Sequence, residues 1–300
     1  MDRLEAMSVF LAAVETGSLS AAGRRLDMPL ATVSRKLSEL EAHMRARLLH
    51  RSTRALTLTE AGQGYLVACK RILEDVEEAE RAAAGEYSVP KGDLIVTAPI
   101  LFGRLHVLPV TTEFLKAYPE VDVRLVLGDR VLHVRDDHVD LAIRIGALPD
   151  SNLVATRVGT IRQVVCGSPA YFGPRGTPKR PEDLSKLDCI SFESLTFADH
   201  WKFGTGKSEV SVPVHSRLIV NTADAAIAAA IAGTGVTRAL SYQVADATQA
   251  GTLDVVLRDF EPESWPVSLI HAGEGRLPLK LRAFIDFATP RLRERLAPTP

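Results

Sequence analysis

Sulfur is scarce in this sequence. Three cysteines, Cys69, Cys166 and Cys189, are spread over 300 residues. Their odd number and wide spacing leave no disulfide framework and no metal-ligand pattern, and point to a reducing compartment. Long apolar runs are missing as well. The opening MDRLEAMSVFLAAVETGS is amphipathic and acidic rather than a basic head followed by an apolar stretch. No secretory signal and no membrane span are therefore expected, and the cytoplasm is the expected location. No charge sign dominates either: the net charge is −1, which excludes a chain that is basic throughout.

Catalytic signatures are also lacking. No HExxH, GxSxG, CxxC or P-loop occurs, and the GTG at Gly233–Gly235 follows a helical pattern instead of opening one, the wrong order for a dinucleotide site. In RDDHVD (Arg135–Asp140), the adjacent Asp136, Asp137 and His138 would point in different directions on a helix, which suits solvent better than a metal. The sequence thus predicts no catalytic residue, no metal and no cofactor. The protein is not expected to be an enzyme.

The chain does have an ordinary globular composition, 46% apolar and 24% charged, and length enough for two domains with well-buried cores. Its charge is unevenly placed. Between Arg24 and Arg54 stand eight basic side chains against three acidic ones, and an acidic run, Glu74 to Glu80, follows. A local basic field on a neutral whole fits one nucleic-acid-binding module.

The first 60 residues carry that module. A helix over 3–16 is expected from the stripe Leu4, Met7, Phe10, Leu11 and Val14, ended by Gly17. Ser18 caps a second, and a third starts near Pro29 with Leu30, Val33, Leu37, Leu40 and Met44 inward. Helix, tight break and a helix with a polar outer face describe a helix-turn-helix, whose second helix enters the major groove with its first turns at base edges. Thr32, Ser34, Arg35 and the adjacent Lys36 lie there. Two short extended pieces around Ser52–Arg54 predict a hairpin whose basic tip, Arg51 and Arg54, would touch phosphate or the minor groove like a wing. A generic helical pair gives the same apolar spacing, so the tip strengthens the reading.

Thr59 is placed to cap a long helix reaching about Ala84. On it Tyr65, Cys69, Ile72, Val76, Ala79 and Ala83 alternate by four and three, the spacing of a dimer seam. The same stripe would also serve a helix lying on its own domain. Beyond the turn-rich GEYSVPKGD (Gly85–Asp93), strand-like segments DLIVTA, VDVRLVL, DLAIRI, RQVVCG, CISFE, RLIVN and GVTRAL alternate with helical ones, including Val131–His138 and Ala223–Ala232. This predicts parallel α/β layers. Pro109 should kink its helix, and Gly173–Asp183 should be a surface excursion.

The segments VFLAAVETGSLSAAGRRLDMPLATVSRKLSELEAHMRARLLHRSTRALTLTEAG, TAPILFGRLHVLPVTTEFLKAYPEVDVRLVL, DLAIRIG and AGTGV resemble the LysR-type transcriptional regulators over nearly the whole chain. The most specific parts are TVSRKLSELE and RLLHRSTRALTLTEAG. The resemblance implies a winged helix-turn-helix over 1–58, a dimerising linker helix over 59–90 and an effector domain over 91–300. That last domain would be like periplasmic binding proteins, with one α/β subdomain at about 91–159 and 265–295 and a second at about 160–264. It further implies binding to a promoter inverted repeat in double-stranded DNA, a homodimer or dimer of dimers, a small-molecule inducer, and RNA polymerase as a further partner. Pro29, Leu30 and Ala31 depart from the family's usual capping serine, base-reading glutamine and proline, and Ala46 replaces the glycine that turns into the wing.

For the inducer, VTAPILFGR is the leading segment, with Thr97, Ala98, Pro99 and Phe102. Thr97 ends a strand at a helix start, where amide hydrogens and the helix dipole favour an anion; a plain cap is the other reading. The resemblance favours the ligand. Arg144, just before Gly146, ends a strand at the edge where open α/β sheets bind ligands, or pairs with Asp140. Asn221 and Thr222 start another helix, where cap chemistry explains them and the family places inducer contacts. Trp201, Phe192 and Phe203 are apolar cover or core. Together these groups suggest a small carboxylate. A solute-binding receptor without a DNA role is the alternative, but it leaves residues 1–60 without a task.

Overall fold

The computed structural model describes residues 2–51, 56–83, 89–129, 139–148, 152–192, 200–206, 209–273 and 277–297. The chain forms two compact units, Met1–Gly92 and Asp93–Pro300.

The first unit opens with α1 (Arg3–Thr16), α2 (Leu19–Arg25) and α3 (Leu30–Met44). Each boundary has a local cause. The Asp2 carboxylate accepts from the Leu4 amide at 3.0 Å, Gly17 turns left-handed at φ 66°, and the Ser18 hydroxyl accepts from the Ala21 amide. Caps of this kind each contribute about 1 kcal/mol. The α2–α3 break is tight because α2 passes close to it: a Cβ on Gly23 would stand 2.7 Å from the Met28 carbonyl oxygen. Val33, Leu37 and Leu40 seat α3 against Phe10, Val9 and Ala13 of α1.

A hairpin follows, β1 (Leu49–Arg51) paired antiparallel with β2 (Leu56–Leu58), then α4 (Glu60–Ala83). The turn out of α3 is made by Arg45 at φ 52°, so Ala46 takes no glycine-like conformation. One Glu41 carboxylate oxygen receives both the Leu48 and Leu49 amides, at 2.8 and 3.2 Å, and holds the hairpin to α3. Thr59 caps α4 through the Gly62 amide at 2.9 Å.

The second unit runs β3 (Gly92–Ala98), α5 (Ile100–Phe102), a π turn at Gly103–Val107, α6 (Leu108–Ala117), β4 (Val121–Leu127), β5 (Leu141–Ile145) and β6 (Leu153–Ile161). It continues with β7 (Gln163–Gly167), α7 (Pro169–Arg175), β8 (Asp188–Phe192), β9 (His200–Phe203), β10 (Val210–Pro213), β11 (His215–Val220), α8 (Ala223–Ile231) and β12 (Val236–Leu240). Last come α9 (Ala245–Gln249), β13 (Asp254–Val256), β14 (Trp265–Ala272) and α10 (Leu279–Arg295). Two five-stranded sheets result, ordered β4-β3-β5-β14-β6 and β11-β8-β12-β7-β13, one per lobe.

The sheets are mixed, not parallel throughout as the alternating pattern predicts. β3 and β5 are parallel, as are β8, β11 and β12, but β14 runs against β5 and β6, and β7 against β12. The antiparallel strands adjoin the two crossings between lobes. Only Arg162 separates β6 of the first sheet from β7 of the second, and β7 runs antiparallel to both its neighbours, β12 and β13. The polar stretch after Gly173 is also less of an excursion than expected: α7 extends to Arg175, and a 3₁₀ turn at Pro181–Lys186 buries Pro181 and Leu184. Pro109 stands where the π turn passes into α6, within a helical run that is continuous from Ile100 to Ala117. The preceding π turn, closed by the Leu108 amide on the Gly103 carbonyl, widens the backbone where the proline ring would crowd the previous turn. The expected helix at Val131–His138 and the RDDH residues lie outside the described residues.

The first lobe's core joins Leu94, Val96 and Ile143 of the sheet to Phe102, Phe114 and Phe284 of the helices. Each such side chain contributes about 1.5–3 kcal/mol by leaving water. The lobes are locked where the chain crosses. Leu101 buries in the second lobe's core, Leu240 in the first's, and Tyr242 touches both.

Candidate functional site

On α3 the inward stripe is closed at Val33, Leu37 and Leu40, while Leu30 and Met44 at its two ends, expected inward, are 50% and 36% exposed; the outward line is open. Arg35 has a side chain 66% exposed, and its guanidinium rests 3.1 Å from Glu39, one turn on, an exposed pair of small energetic weight. Leu30, Ala31 and Ser38 are exposed beside it, while Thr32 and Ser34 flank the line half-buried. Ser38 belongs to this face by helical spacing from Ala31 and Arg35, a signal the sequence reading left unused. Lys36 does not belong to it. Its ammonium is bound to the Glu5 carboxylate of α1 and its side chain is only 14% exposed. It ties two helices together, which corrects its assignment as a DNA contact. Arg51 is the last residue of β1, opposite Leu56; its side chain and all of Arg54 lie outside the described residues.

The expected dimer stripe on α4 divides in two. Tyr65 packs its ring 5.4 Å from Phe10, and Cys69 is completely buried, its thiol donating to the Met7 carbonyl. These two residues complete the unit's own core, which corrects their place in a partner seam. A helical stripe specifies an apolar contact but not whose surface supplies it. Ile72 and Ala79 are exposed and Val76 is half-buried. Ala83 is helical, with its side chain outside the described residues.

In the second unit, strand alternation sorts the candidate effector residues onto opposite faces. Thr97 is aligned with Ala142 in the parallel β3–β5 ladder, and Arg144 lies opposite Ser268 of β14. Thr97, Arg144 and Ser268 therefore share one face. Ala98 and Phe102 belong to the other side's core, both with no exposed surface. Phe102 stacks 4.8 Å from the His106 ring and 5.5 Å from Tyr242. Both residues are structural, which corrects their assignment as effector contacts.

Thr97 is itself fully buried, and among the described residues its hydroxyl oxygen has no hydrogen-bond partner. It does not cap the following helix. That helix starts at Pro99, and the Ile100 amide donates to the Asp129 carboxylate at 3.1 Å. The anion seat expected at this helix start is thus filled by the protein's own acid, and the Thr97 hydroxyl is left unused. Burial lowers the pKa of the half-buried Arg144 guanidinium, whose Nη1 reaches the Ile143 carbonyl. Gly146 sits at φ 115°, a conformation side chains resist, and its amide donates to Pro266. Asn221 is exposed. Thr222 starts α8, and its hydroxyl is the main cause holding the Asp224 carboxyl below its ordinary value.

His106 and Tyr242 were missed by the sequence reading, although His106 follows Phe102 at the helical spacing of four. The His106 ring nitrogens are buried without partners among the described residues, and burial first, then Arg295, pushes its pKa down. Burial pushes the Tyr242 hydroxyl up. Trp201, Phe203 and Phe192 are all core residues. Among the described residues no group of acidic, histidine or cysteine side chains is arranged to hold a metal, and no single helix is long and apolar enough to cross a membrane.

Comparison with known proteins bears on both units. A family model described as bacterial regulatory helix-turn-helix protein, lysR family, matches residues 4–63, and one described as LysR substrate binding domain matches residues 88–293. An HTH-type transcriptional regulator of Xanthomonas campestris pv. campestris (strain 8004) is 35% identical over 95% of this chain and 84% of its own length. The HTH-type transcriptional activator AaeR of Escherichia coli (strain K12) is 30% identical over 96% of this chain and 94% of its own. The solved structure of CrgA, a LysR-type transcriptional regulator from Neisseria meningitidis, covers 96% of this chain and 98% of its own, with 27% identity and a TM-score of 0.62.

Proposed function

This chain belongs to the LysR family of bacterial transcriptional regulators, with a DNA-binding helix-turn-helix and an effector-binding domain, and we propose that it reads its operator through α3 and answers a small carboxylate held in the second unit. Thr32, Ser34 and Arg35 meet base edges in the major groove, and Arg51 and Arg54 of the hairpin meet the backbone. The exposed Arg35 guanidinium on a helix whose other face is closed is the observation that carries this reading. Leu30, half exposed, offers a base only apolar contact, such as a thymine methyl. The reading module spans 1–58, the linker region containing α4 covers 59–90 and the effector domain 91–300. Ile72, Val76 and Ala79 continue as the partner seam of a homodimer, which pairs again as a dimer of dimers on an inverted repeat.

The effector carboxylate meets Thr97, Arg144 and Gly146 from one lobe and Asn221 and Thr222 from the other. The unused buried hydroxyl of Thr97 supports this, since a buried donor is rarely left without an acceptor. An acidic effector must compete with Asp129 for the Ile100 amide.

Fluorescence anisotropy with the DNA upstream of the protein's own coding region tests the regulator reading. Binding should weaken steeply with salt. Arg35→Ala should narrow the gap between operator and random DNA by about 1–3 kcal/mol, whereas Arg54→Ala should weaken both alike and lower the salt slope by about one. Salt-insensitive or absent binding would count against it. Titration with a panel of aromatic and aliphatic carboxylates tests the effector reading, and an unchanged response in Thr97→Val would remove the assigned residues.

A further inference from the structure

A polar row crosses one face of the second lobe's sheet. β7 and β12 pair Gln163 with Leu240 and Val165 with Arg238, so Gln163 and Arg238 are diagonal neighbours on the same face. One step beyond the Thr237–Ile190 pair, Ser191 of β8 continues the row, and its hydroxyl bonds to that of Ser216 on β11. The rest of this face is the apolar core of Val165, Val236, Cys189, Trp201 and Phe203, on the side of the sheet away from α8.

The hydrogen bonding of the row is incomplete in one direction only. Arg238 Nη2 donates to the Gln163 carbonyl oxygen, which forces the amide nitrogen of Gln163 to point elsewhere. That nitrogen is buried and has no acceptor among the described residues, and neither has Arg238 Nη1. Gln163 is 2% exposed, so solvent does not serve it. The indole nitrogen of Trp201, in the same core, is a third buried donor without an acceptor. Among the described residues no carboxylate stands against Arg238. Burial alone pulls its guanidinium down to about 10, which leaves it charged at neutral pH. Buried polar groups and buried charges are ordinarily paired. Here the half-buried Arg238 brings a positive charge to the edge of the core, and among the described residues its buried Nη1 and the buried Gln163 Nε2 have no acceptor.

We propose that Arg238 and Gln163 form a seat for a small monovalent anion, a halide or a compact carboxylate, within the second lobe and distinct from the effector residues Thr97 and Arg144. The anion accepts from Arg238 Nη1 and Gln163 Nε2 and neutralises the guanidinium. Its effect is to stabilise the β7–β12 pairing, next to the crossing at Arg162, and so to set the stability of the second lobe by anion concentration.

Thermal melts of the full chain in sodium HEPES, at matched ionic strength, with chloride, formate or acetate added, test this. Wild type should gain about 5–10 °C at a hundredfold excess over the dissociation constant. Without anion, Arg238→Met should melt no lower than wild type, whereas Gln163→Leu should melt lower because it strands the Arg238 Nη2 donor; both should lose the gain by at least tenfold in apparent affinity. Thr97→Val should keep the chloride response in full. Gln163→Leu leaves the charge in place and decides the matter if Arg238→Met fails to fold. A wild-type melt indifferent to all three anions would mean that water fills the seat, and a gain that survives in both variants would place the anion elsewhere; either result overturns the assignment.

Discussion

Replacing Thr97 by valine tests the effector domain most directly. The side chain has no exposed surface, and among the described residues its hydroxyl oxygen has no partner. An unsatisfied buried hydroxyl costs about 1–3 kcal/mol. Valine keeps the β-branch suited to β3 and exchanges the hydroxyl for a methyl. In the absence of effector, Thr97→Val should therefore be more stable than wild type by about 1–3 kcal/mol, a rise on the order of 5 °C in melting temperature. The same exchange removes the donor proposed to meet the carboxylate, so effector affinity should fall at least tenfold, the loss of about one charge-assisted hydrogen bond. Urea melts would show a higher midpoint at unchanged slope, and calorimetric titration with a carboxylate active on wild type would show the weakening. A less stable variant would mean that the hydroxyl is already bonded. A more stable variant that binds as before would leave Thr97 outside the site.

Three further outcomes follow from particular contacts. Gly62→Ala should destabilise the first unit by about 1–3 kcal/mol or more in chemical denaturation, because its Cβ would stand 2.0 Å from the Leu48 carbonyl oxygen, backbone that cannot move aside. Lys36→Met should cost about 0.5–1 kcal/mol of stability through the lost Glu5 pair, while leaving the salt slope of DNA binding unchanged in anisotropy titrations; a slope reduced by one would restore Lys36 as a phosphate contact. His106 is held neutral, so its folded pKa lies below the ordinary 6.5. Protons then bind the unfolded chain first, and the stability it contributes is present above pH 6.5 and lost as pH falls. His106→Phe should flatten the acid limb of a stability–pH curve, and an unaltered limb would assign acid sensitivity to other groups.

The first unit was largely legible in the sequence because its signals are local. Ser18, Gly17 and Thr59 act on amides or dihedrals within a turn of themselves, and the stripe Val33, Leu37, Leu40 repeats within one helix. Legibility failed where a helix's own periodicity says nothing of its neighbour. Lys36 lies on a polar flank but finds Glu5, 31 positions away, and Cys69 lies on an apolar seam but finds Met7 of its own unit. In the second unit the strands β3, β4, β5, β7, β8, β11 and β12 were visible in the sequence pattern. β6, β9, β10, β13, β14 and α10 were not assigned.

The site shows the same division. That Thr97 ends a strand before a proline was visible in the sequence. That Asp129 caps the helix, leaving the threonine hydroxyl unused, required two distant segments to meet. Arg238 sits within an apolar segment, and only the β7–β12 pairing brings Gln163 to it, 75 positions earlier in the chain. By itself the sequence determined most of the helices, many of the strands and the central inward residues Val33, Leu37 and Leu40 of α3, since hydrogen bonds and side-chain periodicity act over a few residues. Tertiary structure alone decided which polar groups lost water, and which of those found partners, because burial depends on residues far apart in the chain.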